Sequence, residues 1–230
     1  MKVEIYSDVA CPWCYIGKRR FERALAAFPG ADEVEVVYRP YQLNPDAPAT
    51  AVPLQRYLAQ RFGPQGAQMA RHVTETARGD GIVMDFDSAL SANTLDAHRL
   101  LRLAEHEYGA AVQQALKEKL LEAHFSQGAD IGDPAVLETA AAGAGMDGAR
   151  VRGYLAGGEG RREVKDEIAQ AQRLGITAVP TFVIDGRYAV QGAQPASAFL
   201  QVLEQVAAES AAGATAVSDA EACADGSCTI

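Results

Sequence analysis

The β-rich segments of this chain lie at its two ends. Near the start, "KVEIYSDV" alternates apolar Val3 and Ile5 with polar neighbours and predicts a strand over residues 2 to 7. "VEVVYRPYQL", residues 34 to 43, is β-branched and aromatic enough for a second. β character returns only in "TAVPTFVIDGRYAVQG", where Asp185-Gly186 signals a tight hairpin. From about residue 53 to 174 the chain is instead rich in Ala, Leu, Gln, Glu and Arg at helical spacing. Any sheet must therefore be closed by residues from both ends, with a helical block inserted between them. The first two strands flank an amphipathic segment carrying Ile16, Phe21, Leu25 and Phe28, which stops at Pro29-Gly30, so they form a parallel pair.

Inside the block, "TLDAHRLLRLAEHEYG" and "AAVQQALKEKLLEAHFSQG" are the clearest helices, with Leu95, Leu100, Leu103, Leu116, Leu120 and Leu121 as apolar stripes. Further helices are predicted at 54–62, 65–78, 134–142 and 160–174. "QPASAFLQVLEQVAAES" supplies a closing helix packed through Phe199, Leu200, Leu203 and Val206, and residues 210–230, small and polar, read as a mobile tail. The expected organisation is a discontinuous sheet domain at 1–45 and 175–209, a helical insertion at 46–174 and a cysteine-containing tail at 210–230.

Two cysteine pairs stand out, Cys11 and Cys14 at the first strand-to-helix junction and Cys223 and Cys228 near the C-terminus, with none between. At such a junction unpaired N–H groups and the helix dipole favour a thiolate on the first cysteine, while the second, one turn in, can attack a mixed disulfide from within. Pro12 suits the first helical turn because it lacks an N–H that would have no partner there. Zinc could draw on all four thiolates, but zinc-binding CxxC pairs usually rest on turns, whereas this one runs into a helix. No metal is expected.

With 30 acidic and 21 basic residues the formal net charge is -9, which disfavours nucleic acid or an anionic membrane as the main partner. No stretch of about 18 apolar residues suggests a membrane span. Met1 stands directly before the first strand without an apolar leader, which reads as a cytoplasmic start.

With "CPWCYIGKRRFE" at one end, "NTLDAHRLL" in the insertion and "GITAVPTFVIDGRYAVQGAQP" near the other end, in that order, the chain resembles the DsbA-like thioredoxin-fold oxidoreductases, and within them the FrnE-like branch. The resemblance implies an α/β thioredoxin-like fold with a large all-helical insertion. It also implies a cis Val179-Pro180 bond facing the CPWC centre, with the backbone of Val179 pairing with a substrate strand. Asn93, Thr94 and His98 match a segment that borders the active-site cleft in related proteins, and Gln191, Gly192 and Gln194 fall where the cleft has its edge. Exported DsbA enzymes usually carry His where this chain has Trp13, so strong oxidising power is not carried over, and in a reducing cytoplasm reduction or isomerisation is expected over net oxidation.

The implied activity is thiol-disulfide exchange on protein or peptide disulfides, with Cys11 as nucleophile and Cys14 as resolving thiol. No bound cofactor is expected. Electrons would come from a small thiol or a partner reductase. The Cys223 and Cys228 pair would exchange with the centre, and an acidic surface with a long tail permits a homodimer without demanding one. The alternative implied by related folds is a glutathione-dependent transferase or isomerase of small aromatic compounds. Those proteins typically carry Ser at the first cysteine position, and Cys11 weighs against them.

Overall fold

The computed structural model describes residues 1–48 and 50–222, and side chains as far as residue 211. Strand β1 (Lys2–Ser7) leads into α1 (Pro12–Ala27), and a single 3-10 turn at Ala31–Glu33 returns the chain to β2 (Glu35–Pro40). The strands pair in parallel, Val3 opposite Val36 and Ile5 opposite Tyr38. A short antiparallel pair, β3 (Val52–Pro53) and β4 (Leu90–Ser91), ties together the start of the insertion. Its helices are α2 (Leu54–Phe62), α3 (Gln65–Gly79), α4 (Leu95–Leu103), α5 (Ala110–Phe125), α6 (Pro134–Gly143), α7 (Gly148–Ala156) and α8 (Arg161–Arg173). The chain then supplies β5 (Thr181–Ile184), β6 (Tyr188–Gln191) and α9 (Ala196–Ala222).

The sheet order β2-β1-β5-β6, with β5 antiparallel to β1, joins the two ends of the chain as the sequence requires. Asp185 and Gly186 both take positive φ, 48° and 65°, and the Arg187 N–H donates to Ile184 O at 3.0 Å. That is the mirror-image turn whose twist matches a hairpin. The fold is thus an α/β thioredoxin-like core with a large helical insertion.

An aromatic cluster of Phe21, Phe182 and Phe199, with Val3, Ile5 and Leu203, fills the space between the sheet, α1 and α9. The predicted leucine stripes build a separate core inside the insertion, from Leu100 and Leu103 to Leu116 and Leu120. Helix α5 binds the two parts. The Gln113 side chain accepts from Tyr38 N–H at 2.8 Å and donates to Tyr38 O at 2.9 Å, and Gln114 donates to Val36 O at 3.1 Å. Tyr15 O–H and Arg19 of α1 both donate to Glu118, at 3.0 and 2.6 Å.

Besides the unpredicted β3 and β4, three elements differ from the sequence reading. The helix expected over 94–109 changes pitch, leaving α-geometry at Leu103 for a π-helical stretch, Ala104–Tyr108, that ends at Gly109 with φ of 90°. Helix α7, glycine-containing and unpredicted, begins at Asp147, whose carboxylate accepts from the Arg150 N–H at 2.7 Å. The closing helix continues to Ala222 where a tail was expected from residue 210, because an alanine-rich, proline-free run outweighs the one glycine in it. Cys223 and Cys228 lie outside the described residues.

Candidate active site

The tight turn before Cys11 is built by Asp8. Its carboxylate accepts from Ala10 N–H at 3.4 Å and Leu43 N–H at 2.8 Å, and lies 3.2 Å from His98 Nε2. Asp8 and His98 are both buried. Burial would raise the Asp8 carboxyl, but His98 and the Leu43 N–H outweigh it and hold the group below its ordinary value. Cys11 occupies the N-cap position in extended conformation, and α1 starts at Pro12, which places Cys14 in its first turn. Cys14 N–H donates to Cys11 O at 3.0 Å.

Both thiols are free and almost wholly buried, 4% and 2% exposed. On one side of Cys11 lies a cavity of about 260 Å³ walled by Leu58, Phe62, Met69, Val73 and Phe125, which Cys11 lines and Cys14 does not. On the other side, the Cys11 S–H points to Val179 O at 3.7 Å, across the cis Val179-Pro180 bond. Gly17 permits this closeness, since a Cβ there would stand 2.9 Å from Pro180 Cγ. Gly192 N–H donates to Pro180 O at 2.7 Å, and Arg20 holds Ala193 O at 2.6 Å, which fixes the loop to α1.

The two thiols are buried side by side and share a hydrogen bond, so their ionisation belongs to the pair. The Cys11 thiol is pushed well above its ordinary range, first by its hydrogen bond with Cys14 and then by burial. For Cys14 burial also acts upward, but the hydrogen bond from Cys11 and the charge of Lys117 outweigh it and bring the thiol down. Cys11 makes no side-chain capping bond to the helix N–H groups, and its S–H also points toward Val179 O. The two sulfurs therefore titrate as one unit that gives up its first proton readily and its second with difficulty.

The other predicted neighbours take separate places. Trp13 is half-buried beside the cavity, its ring centroid 5.9 Å from that of His72. Asn93 braces the 42–47 loop, donating to Pro45 O and Ala47 O at 3.2 and 3.1 Å and accepting from Leu95 N–H at 3.0 Å. His98 touches Asp8, and it is not among the residues lining the cavity beside Cys11. Among the described residues no group of three or more His, Cys, Asp or Glu could hold a metal ion, and the four-thiolate site considered from sequence would need Cys223 and Cys228.

Sequence reasoning missed the buried polar side of α5. Gln113, Lys117 and His124 are all fully buried, and His124, lining the cavity with Cys11, has neither ring nitrogen hydrogen-bonded among the described residues. Burial brings the His124 imidazole down to about 4, so it is neutral near pH 7. The signal was present: Lys117 stands next to Leu116 and one turn before Leu121, inside the apolar stripe rather than opposite it.

A family profile described as the DSBA-like thioredoxin domain matches residues 2–204. The chain belongs to this family. Among solved structures, a probable DsbA oxidoreductase from Streptomyces coelicolor is 38% identical with a TM-score of 0.82, the likeness covering 91% of each chain. Cytosolic disulfide reductase DsbM from Pseudomonas aeruginosa has a TM-score of 0.60 at 22% identity over 89% of this chain and 98% of that one, a likeness of fold. Among curated proteins, YwbO of Bacillus subtilis is 29% identical over 194 residues, covering 79% of this chain and 86% of that protein. No described helix of this DsbA-like chain is long and apolar enough to cross a membrane.

Proposed function

We propose that this DsbA-like protein is a cytoplasmic thiol-disulfide oxidoreductase and isomerase of the FrnE-like branch, acting on protein or peptide disulfides through its CPWC centre. The observation that carries the reading is the position of Cys11 Sγ, between the Val179 carbonyl on the cis-proline loop and an apolar cavity. A substrate strand laid along Val179 would bring a disulfide to that sulfur, and an apolar side chain beside it would enter the cavity. Leu43, Phe62 and Met69, exposed apolar residues on its rim, support a peptide or protein substrate over a small polar one.

In the exchange, the Cys11 thiolate attacks one sulfur of the substrate disulfide; a Cys11-substrate bond forms, the substrate bond breaks, and the released sulfur leaves with the electron pair. Cys14 then attacks Cys11, closes the Cys11-Cys14 disulfide and frees the second substrate thiol. A small thiol or partner reductase restores the dithiol, and no bound cofactor takes part. Cys223 and Cys228 are proposed as an auxiliary pair exchanging with this centre; truncation after residue 210 would slow exchange if they do and leave it unchanged if they do not.

The test is insulin reduction in a thiol buffer by the intact protein and by Cys11→Ser. Turnover by the first and its loss in the second are expected. Absence of turnover in the intact protein, or its survival in the variant, would overturn the reading and direct attention to glutathione conjugation.

A further inference from the structure

The hairpin of α2 and α3 runs against the charge of the rest of the chain. Residues 54–79 hold four arginines, Arg56, Arg61, Arg71 and Arg78, against a single carboxylate, Glu75, in a protein of formal net charge -9. None of the four is joined to a carboxylate among the described residues, whereas Arg20, Arg39, Arg99 and Arg150, on other elements, are each held by at least one. Arg71 and Arg78 border a separate groove with Glu75, Asp85 and Asp87, which offset them. Arg61 instead lines the cavity that Cys11 lines.

The Arg61 guanidinium stacks over the rings of Tyr57 and Phe62, 6.0 and 5.7 Å from their centroids, and both rings line the same cavity. Stacking leaves the N–H donors of the guanidinium free for another group. No charge on the cavity wall answers it: the Asp8 carboxylate is buried and taken up by two backbone N–H groups and His98, and His124 is neutral near pH 7. Arg61 is exposed where Cys11 is buried, so the cavity runs from a positive outer edge past apolar walls to the thiol. Its volume of about 260 Å³ exceeds the roughly 150 Å³ that suffices to hold benzene in a protein interior, so it takes one side chain of leucine or phenylalanine size.

We propose that Arg61 is a specificity-determining residue, and that the chain recognises acidic polypeptide segments in which the reacting cysteine is flanked by an apolar residue and a carboxylate. The apolar side chain enters the cavity beside Cys11, and the carboxylate accepts from the free N–H groups of Arg61. The inference rests on the oxidoreductase reading for what happens at the sulfur, and on the cavity alone for recognition. Because the chain as a whole is acidic, such a segment is repelled over much of the surface and drawn in at this hairpin, which brings it to the thiols.

Trp13, the chain's one tryptophan, lines the cavity, so its fluorescence reports occupancy. The probes are two peptides with serine in place of cysteine and a leucine beside it, identical but for Glu in one and Gln in the other at the flanking positions. The Glu peptide should bind about fivefold more tightly at low salt, with the advantage shrinking as salt is raised. In Arg61→Gln the two should bind alike, in Arg61→Glu the order should invert, and Arg61→Lys should keep part of the preference. Equal binding by the native chain, no binding of either peptide, or a preference that outlasts Arg61→Gln would overturn the proposal. So would displacement of the Glu peptide by glutathione disulfide at concentrations below the peptide's own Kd, since the carboxylate site would then belong to a small molecule. Neither peptide carries sulfur, so failure to reduce insulin would remove the redox reading and leave this result standing.

Discussion

The space under the sheet and the seam where α5 meets it are equally dry and differently filled. Beneath the sheet, Phe182 and Phe199 pack edge to face at 4.5 Å and Phe21 lies 5.3 Å from Phe182, with apolar neighbours throughout. Along the seam, Asp8, His98, Gln113, Lys117 and His124 are just as buried. The first region is what a two-layer domain needs to stay folded. The second carries desolvated charge, which burial makes costly, and it adjoins the two thiols. The comparison assigns stability to one and reactivity to the other.

The strongest way to break that assignment is Phe182→Ala. Loss of about 3–5 kcal/mol in urea unfolding is expected, with the thiolate titration unchanged. A shifted titration would mean that the aromatic core reaches the thiols. His124→Leu follows. The folded imidazole binds a proton only near pH 4, whereas the unfolded chain does so near the ordinary value of 6.5. The neutral form is therefore complete above pH 6.5, and stability is lost as pH falls from 6.5 to 4, by up to about 3 kcal/mol. The leucine variant should lack that loss in unfolding curves measured across the same window.

Gly17→Ala sharpens the border between the regions, since its methyl would meet Pro180 at 2.9 Å and Phe182 at 3.5 Å. Overpacking of about 1–3 kcal/mol is expected, together with faster alkylation of Cys11 as the cis-proline loop gives way and uncovers it. Asp8→Asn should cost stability near pH 7 and progressively less in acid. The folded Asp8 carboxyl is held below its ordinary value of 3.8, so its contribution is present above that pH and disappears as the folded group protonates. The variant should therefore show a shallower fall in stability below about pH 4, seen by following the unfolding midpoint into acid.

The thioredoxin-like strands were readable because β-branched runs and Asp185-Gly186 are local signals, and the placement of Cys11 and Cys14 at a helix start was readable because it depends on one turn of chain. Helix α7 hid behind its glycines, although Asp147 marked its start, and two-residue strands such as β3 and β4 have no periodicity to detect. The contact of Cys11 with Val179 spans 168 residues, and no local pattern encodes it; the resemblance supplied it. The full burial of Lys117 was not legible, because it depends on how the insertion packs against the sheet. A lysine in sequence is taken for a solvent-facing residue, and here it is not.

The paired bonds from Gln113 to Tyr38, with that from Gln114 to Val36, have a consequence for association. β2 is an outer strand, and its outward peptide groups are the kind that recruit a strand from another molecule. Two glutamine amides already satisfy Tyr38 and Val36 there, much as a neighbouring strand would. The insertion thus seals one margin of the sheet against edge-to-edge growth, and a second copy of the chain extending this sheet would have to join it beside β6.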